Sequence, residues 1–306
     1  MNTSTSILHQ PPLSLGNGIK EEAVVINNDI FTSIFNYLLK EDRDKIAQPN
    51  LIIGDKGSGK TSLLKRMYFS IENSAKWLKP VFIDGKSLFS TDDIWKFHSL
   101  QDDSCRTVLL IDNVQYYFER TDNTEQYNLR GKLNKAGAPI LIATADKVLP
   151  AFTGYESAFF EGFKISYIRP LVVTDYSMFV GYEADMTRLE NLMSYLPKTP
   201  RSVQIAAKII EDSASHEMDI MLLLDYFSFY YQAKYDSYVV QIQRILSAIA
   251  RPENGVTLQE IRKITGQDNG KISPYLKLMA DRKIIDRTSQ TQRGGIYTIT
   301  DPLFKL

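Results

Sequence analysis

The chain is nearly without cysteine. Cys105 is the only one in 306 residues, so no intrachain disulfide and no cysteine-based zinc site can form. That suits a reducing compartment. The three histidines, His9, His98 and His216, are too far apart in sequence to give a local metal-ligand spacing. Long apolar runs are also missing. Stretches such as Ile220–Leu224 fall far short of the roughly 20 residues that cross a bilayer. The first residues, MNTSTSILHQPPLSLGNG, have neither an early positive charge nor an apolar core, so no secretory signal is expected there. The expectation is a cytoplasmic protein with no membrane partner and a flexible N-terminus over residues 1–24.

An excess of one charge is lacking too, since 36 Lys+Arg face 36 Asp+Glu. That argues against a chain that binds polyanions over its whole surface, but it leaves room for a local basic patch. What is present is ordinary for a folded protein: 43% hydrophobic and 24% charged residues. The length suggests about two domains.

The pattern of apolar residues gives the architecture. Asp29–Leu39 repeats at helical spacing. Short apolar runs at Leu51–Ile53, Pro80–Asp84, Val108–Ile111, Ile140–Ala143 and Lys164–Ile168 read as strands, and Thr61–Ile71 as a helix. Such alternation predicts an α/β fold, a parallel sheet with helices on both faces. From about Asp175 the strand signals stop. Residues 175–236 read as helical, interrupted at Leu196–Pro200. Helix patterns then recur at Val240–Ala250, Leu258–Thr265 and Ile272–Asp281, and two β-like runs follow at Lys283–Thr288 and Gly295–Thr300.

One motif is specific. Gly54-Asp55-Lys56-Gly57-Ser58-Gly59-Lys60-Thr61 fits G-x-x-x-x-G-K-[ST], between an expected strand and an expected helix. The glycines let backbone N–H groups turn inward around phosphate oxygens. Lys60 supplies a point charge to the β- and γ-phosphates, and Thr61 supplies a hydroxyl to Mg²⁺. Ser62 continues the loop into the helix, whose N-terminus favours anions. The expected cofactors are therefore ATP or ADP with Mg²⁺. The competing reading is a glycine-rich turn with a surface lysine.

The run VLLID ends on Asp112, 51 positions after Thr61. A strand-end carboxylate there can hold the Mg²⁺ hydration shell. The next residue is Asn113, and an amide cannot take a proton from water at neutral pH. Two readings follow: slow hydrolysis, or a contribution from another residue such as Glu119. The bland reading of Glu119 is a solvated surface carboxylate.

Together, LIIGDKGSGKTSLL, VLLIDNVQYYFE and PILIATAD resemble the AAA+ ATPases, in particular the DnaA-like initiators and the archaeal-type ATPases with a C-terminal winged helix. The resemblance implies that Thr144 is the residue that senses the γ-phosphate from a strand end. KTPRSVQIAAKI is similar to the helix from which an arginine reaches the nucleotide in such proteins, which points to Arg201. Plainer readings are a strand-end threonine and a helix start. ESAFFEGFKISYI departs from the group, since it has no arginine finger before Arg169; Lys164 carries charge but cannot fork two hydrogen bonds to phosphate. ATP rather than GTP is implied by the resemblance, and the chain has no Asn-Lys-x-Asp guanine motif.

Residues 237–306 read as a winged helix-turn-helix. Thr257 and Glu260 have capping-box spacing, and Gly266 marks a helix stop. Ile272, Leu276 and Met279 are expected to face inward. Lys271, Ser273 and Lys277, with Gln292 and Arg293 at the wing tip, become candidate DNA contacts. Residues 238–306 carry 11 Lys+Arg against 6 Asp+Glu, and the remainder 25 against 30. That split fits a basic module beside an acidic nucleotide-binding part. A protein-contact role for the winged helix is the rival. The aromatic stretch Tyr226–Tyr238 is expected to pack in a core and between domains rather than stack bases.

The expected organisation is a flexible tail at 1–24, a P-loop ATPase core at 25–173, a helical lid at 174–236 and a winged helix at 237–306. The expected activity is that of an ATP-binding switch with slow hydrolysis. Its partners would be ATP and either double-stranded DNA, a protein or further copies of itself. The alternative is a nucleotide-bound scaffold that does not hydrolyse, in a signalling or defence complex.

Overall fold

A computed structural model describes residues 27–40, 45–99, 105–180, 185–252, 254–289 and 295–305. The expected tail at 1–24 and the wing-tip candidates Gln292 and Arg293 lie outside these. The chain divides into two compact units. The first comprises residues up to Phe179 together with Thr199–Arg201, and the second Val180–Lys198 with Ser202–Leu306.

The first unit runs α1 (Asn28–Lys40), β1 (Asn50–Ile53), α2 (Lys60–Ser74), β2 (Leu78–Asp84), α3 (Thr91–Ser99), β3 (Arg106–Asp112), α4 (Gln115–Arg120), α5 (Asn123–Leu133), β4 (Ile140–Ala145), α6 (Pro150–Thr153) and β5 (Lys164–Tyr167). All strand pairings are parallel, in the order β2-β3-β4-β1-β5. The central strands β1, β3 and β4 are buried along their whole length. That is why they read as unbroken apolar runs rather than alternating ones.

Alternation is still there, hidden in which face each residue serves. Leu109 and Ile111 of β3 and Leu141 and Ala143 of β4 pack with Phe118, Leu129 and Phe152 from α4, α5 and α6. Val108, Leu110, Ile140 and Ile142 pack on the other face with Ile34 and Leu38 of α1 and Leu64 and Met67 of α2. Each fully buried Leu or Ile here stabilises the sheet by roughly 1.5–3 kcal/mol. Two apolar faces thus need two helix layers, and the strand ends are left free to carry polar groups.

The second unit holds α7 (Met186–Met193), α8 (Pro200–Asp212, from Ser202 onward), α9 (His216–Asp236), α10 (Val240–Ala250), β6 (Val256–Thr257), α11 (Leu258–Thr265), α12 (Asn269–Asp281), β7 (Ile285–Ser289), β8 (Gly295–Ile299) and α13 (Pro302–Lys305). β6, β8 and β7 form an antiparallel sheet. Thr257 caps α11 in a capping box with Glu260, and Gly266 ends it at φ 67°. Ile272, Leu276 and Met279 of α12 are buried with Ile245, Leu246 and Ile249 of α10, as the pattern predicted. Gly255 precedes β6 at φ 81°, and a Cβ there would lie 2.6 Å from the Thr298 side chain.

The aromatic stretch departs from expectation. Tyr231 stacks on Phe304 and bonds Asp301, and Tyr235 bonds Ser247. Tyr226, Phe229 and Tyr230, however, are 59, 87 and 60% exposed. The reason is geometric: α9 has 21 residues and buries only Asp219 and Leu223, so most of its circumference lacks cover. Among the described residues no helix is long and apolar enough to cross a membrane.

Candidate nucleotide-binding site

Every strongly motif-bound residue of the first unit lies at the carboxyl end of the parallel strands. The loop after β1 runs Gly54–Gly59 and enters α2 at Lys60. Gly57 and Gly59 have φ of 86° and 96°, left-handed values that side chains rarely adopt. Nothing lies within 4 Å of where a Cβ of Gly59 would stand. The loop is pinned below by Gly54 N–H donating to Ala145 O and Ser58 N–H to Asp55 O. Asp55 and Lys56 are exposed, Ser58 is buried and Ser62 is half-buried.

Lys60 is buried, and its Nζ donates to Gly54 O at 2.6 Å and Asp55 O at 2.9 Å. Burial pushes its ammonium below the ordinary value, against the pull of Asp112, Asp146 and Asp55. A desolvated cation held by neutral carbonyls gains more from an arriving anion than a solvated one would. The buried Ser58 Oγ has no hydrogen-bond partner among the described residues. The open cradle, the orphan hydroxyl and the buried cation all fit a phosphate group.

Asp112, at the end of β3, joins the two halves of the site. Its Oδ2 accepts from Thr61 Oγ1 at 2.6 Å, and its Oδ1 accepts from Thr144 Oγ1 at 2.5 Å. Thr144, on β4, also accepts from Asn113 N–H at 3.0 Å, and its carbonyl accepts from Val114 N–H. Three expected site residues from three separated segments are thus directly linked. Among the described residues no cluster of three or more His, Cys, Asp or Glu is placed to hold a metal. The Thr61 hydroxyl and the Asp112 carboxylate are hard oxygen ligands of the type Mg²⁺ takes beside phosphate oxygens and water.

Asn113 has a left-handed backbone, φ 59°. Asn tolerates that region better than most residues, a conformational reason for an amide at this turn. Glu119 is exposed and ion-pairs Lys147 at 2.9 Å, so it is a surface carboxylate rather than a group aimed at the site. Arg169 is also engaged, with two contacts to Asp175 at 2.6 and 3.2 Å. Lys164 is exposed on β5. Arg201 N–H donates to Gly57 O at 3.4 Å, and a Cβ on Gly57 would meet the Arg201 Cβ at 2.9 Å. Arg201 therefore flanks the phosphate loop within the first unit.

Sequence reasoning passed over Asp84. β2 and β3 both end on Ile-Asp, and their register pairs Asp84 with Asp112. The repeated ending was the available signal. In the second unit, Lys271, Ser273 and Lys277 are exposed on α12. An open depression at the α11–α12 turn is lined by Arg262, Lys263 and Gln267 among others.

No family model and no curated protein sequence matches the chain. Solved structures do. The ORC1 protein of Aeropyrum pernix, solved in complex with DNA, is similar at 12% identity with a TM-score of 0.52, over 92% of this chain and 90% of that one. The ORC2 protein of the same organism, in ADPNP–ADP complexes, matches at 14% identity and a TM-score of 0.47, over 96 and 92%. Domain III of the replication initiation protein DnaA from Thermotoga maritima matches at 17% identity and a TM-score of 0.43, over 65 and 91%. With its five-stranded parallel sheet, its helices on both faces and its likeness to ORC1, the chain has the fold of that protein, a parallel α/β sheet with a phosphate-type loop after its first strand.

Proposed function

We propose that the chain is an ATP-binding switch with slow Mg²⁺-dependent hydrolysis, read out as DNA binding or assembly with a partner. The observation that carries this reading is the linked set Thr61–Asp112–Thr144 beside the buried Lys60. In it the loop Gly54–Ser62 holds the phosphates, with Lys60 as their cation. Thr61 and Asp112 hold Mg²⁺, which when bound offsets charge on the phosphate oxygens. Thr144 couples Asp112 to the Asn113 turn, so a change at the γ-phosphate is felt by that turn. Arg201 supplies a second cation beside the loop. A ligand shifts an equilibrium only by its differential affinity for the two states. The γ-phosphate provides that difference, because ADP lacks the group that these residues would hold.

The readout belongs to residues 237–306, which we assign as a winged helix-turn-helix after a helical lid at 174–236. Support comes from α10–α12 followed by the β7–β8 hairpin, and from the +5 balance of residues 238–306. Lys271, Ser273 and Lys277 stand on the exposed side of α12, opposite its buried Ile272, Leu276 and Met279. Double-stranded DNA is the partner that this basic face suits best. Asn113 favours a second reading, a nucleotide-bound scaffold without turnover whose winged helix binds protein.

Turnover and DNA binding test the proposal. Steady-state ATP hydrolysis should be abolished by Lys60→Ala. Binding to duplex DNA should weaken with salt, and further with Lys271→Ala plus Lys277→Ala. ATP binding without turnover would select the scaffold. Absence of DNA binding at low salt, with and without ATP, would remove the DNA readout.

A further inference from the structure

We propose that Asp84 takes the proton from the attacking water when ATP is cleaved, the part that Asn113 cannot perform. The inference rests on the ATPase reading above. Three observations carry it. First, Asp84 ends the strand next to β3 and is in register with Asp112, so the two carboxylates leave neighbouring strands about 4.8 Å apart at the same end of the sheet. Second, the strand end is fixed against the residue it would assist. Gly85 packs so closely on the Asn113 turn that an added Cβ would stand 2.4 Å from Asn113 O and 2.9 Å from Asp112 O. Third, the neighbouring carboxylates have other duties. Asp112 gives both oxygens to the hydroxyls of Thr61 and Thr144. Glu119 is paired with Lys147, and Asp93 accepts from Phe89 and Ser90 N–H and pairs with Lys96. Asp146 lies in the field of Lys60 at the end of β4. Asp84 is exposed, and one oxygen accepts from Lys86 N–H at 3.1 Å. Among the described residues the other accepts no hydrogen bond.

The chemistry balances without a further reactant. A lone pair on the water oxygen attacks the γ-phosphorus. The bond from that phosphorus to the β–γ bridging oxygen breaks, and its electron pair leaves on ADP. The proton released by the water moves to the Asp84 carboxylate and then to solvent.

Asp84→Asn separates this role from a structural one, because the amide oxygen can still accept the Lys86 N–H. The variant should bind ATP with Mg²⁺ as tightly as the unmodified chain, yet lose kcat on the order of 100-fold. Asp84→Glu should recover part of the rate, and Glu119→Gln should retain it. Unchanged kcat in Asp84→Asn, loss of ATP affinity in that variant, or an equal loss of rate in Glu119→Gln would overturn the inference alone. ATP binding without turnover in the unmodified chain would instead overturn the hydrolytic reading on which it rests.

Discussion

Thr144 does two things with one oxygen: it donates to Asp112 and accepts from Asn113 N–H, fully buried in both roles. Thr144→Val keeps the shape and removes the hydroxyl. The variant should lose about 1–3 kcal/mol of stability in urea denaturation, the cost of leaving a buried donor unpaired. An unchanged midpoint would mean that Asn113 N–H finds another partner. At this scale much of the site was legible. Lys60 and Thr61 follow from a spacing that phosphate geometry demands, and Asp112 from its place at a strand end. Asp84 was not legible as a neighbour, because many strands end in Asp and only the register shows which two stand side by side. The left-handed backbone of Asn113 is likewise a property of the turn, not of the motif.

The elements divide in the same way. β1, β3, β4, α11 and α12 followed from apolar periodicity because their burial is decided by one or two faces. α5 was missed, although Asp122 caps it and Glu125 stands three residues on. Its buried residues include Gln126, whose amide bonds Phe118 O, so polarity masked a core-facing helix. On α9 the expected packing of the aromatic stretch is met at Tyr231 and Tyr235 but not at Tyr226, Phe229 and Tyr230, which are exposed. α9 is also tied to α7 by an ion pair. Asp219 is fully buried and accepts from Arg188 Nε at 2.8 Å, Arg188 Nη2 at 2.5 Å and Ser213 Oγ. Desolvation pushes the Asp219 carboxyl up, but the hydrogen bonds from Arg188 and Ser213 outweigh it and leave it below the ordinary 3.8. A lowered folded value stabilises above pH 3.8 and stops doing so as pH falls through that lowered value. Acid titration of the folded state should therefore show the second unit loosening below that pH. Asp219→Ala, which removes the partner of Arg188, should lower the urea midpoint of the second unit at neutral pH and flatten the acid dependence. A variant as stable as the parent would show that the ion pair only offsets its own desolvation.

On the scale of the whole molecule, the zero net charge conceals an arrangement. Residues 238–306 hold an excess of five positive charges and the rest an equal negative excess. The neutral total therefore says nothing about partners, whereas the split places the basic surface away from the phosphate loop in sequence. The proposed switch needs the nucleotide to bind first and its γ-phosphate to matter second. The direct test is calorimetric titration of the full chain with ATP and Mg²⁺, beside the same titration of Lys60→Ala. The account predicts saturable binding of one ATP per chain, weakened on the order of 100-fold in a Lys60→Ala variant that stays folded. Equal affinity in the two proteins, or no binding by the folded parent chain, would contradict it.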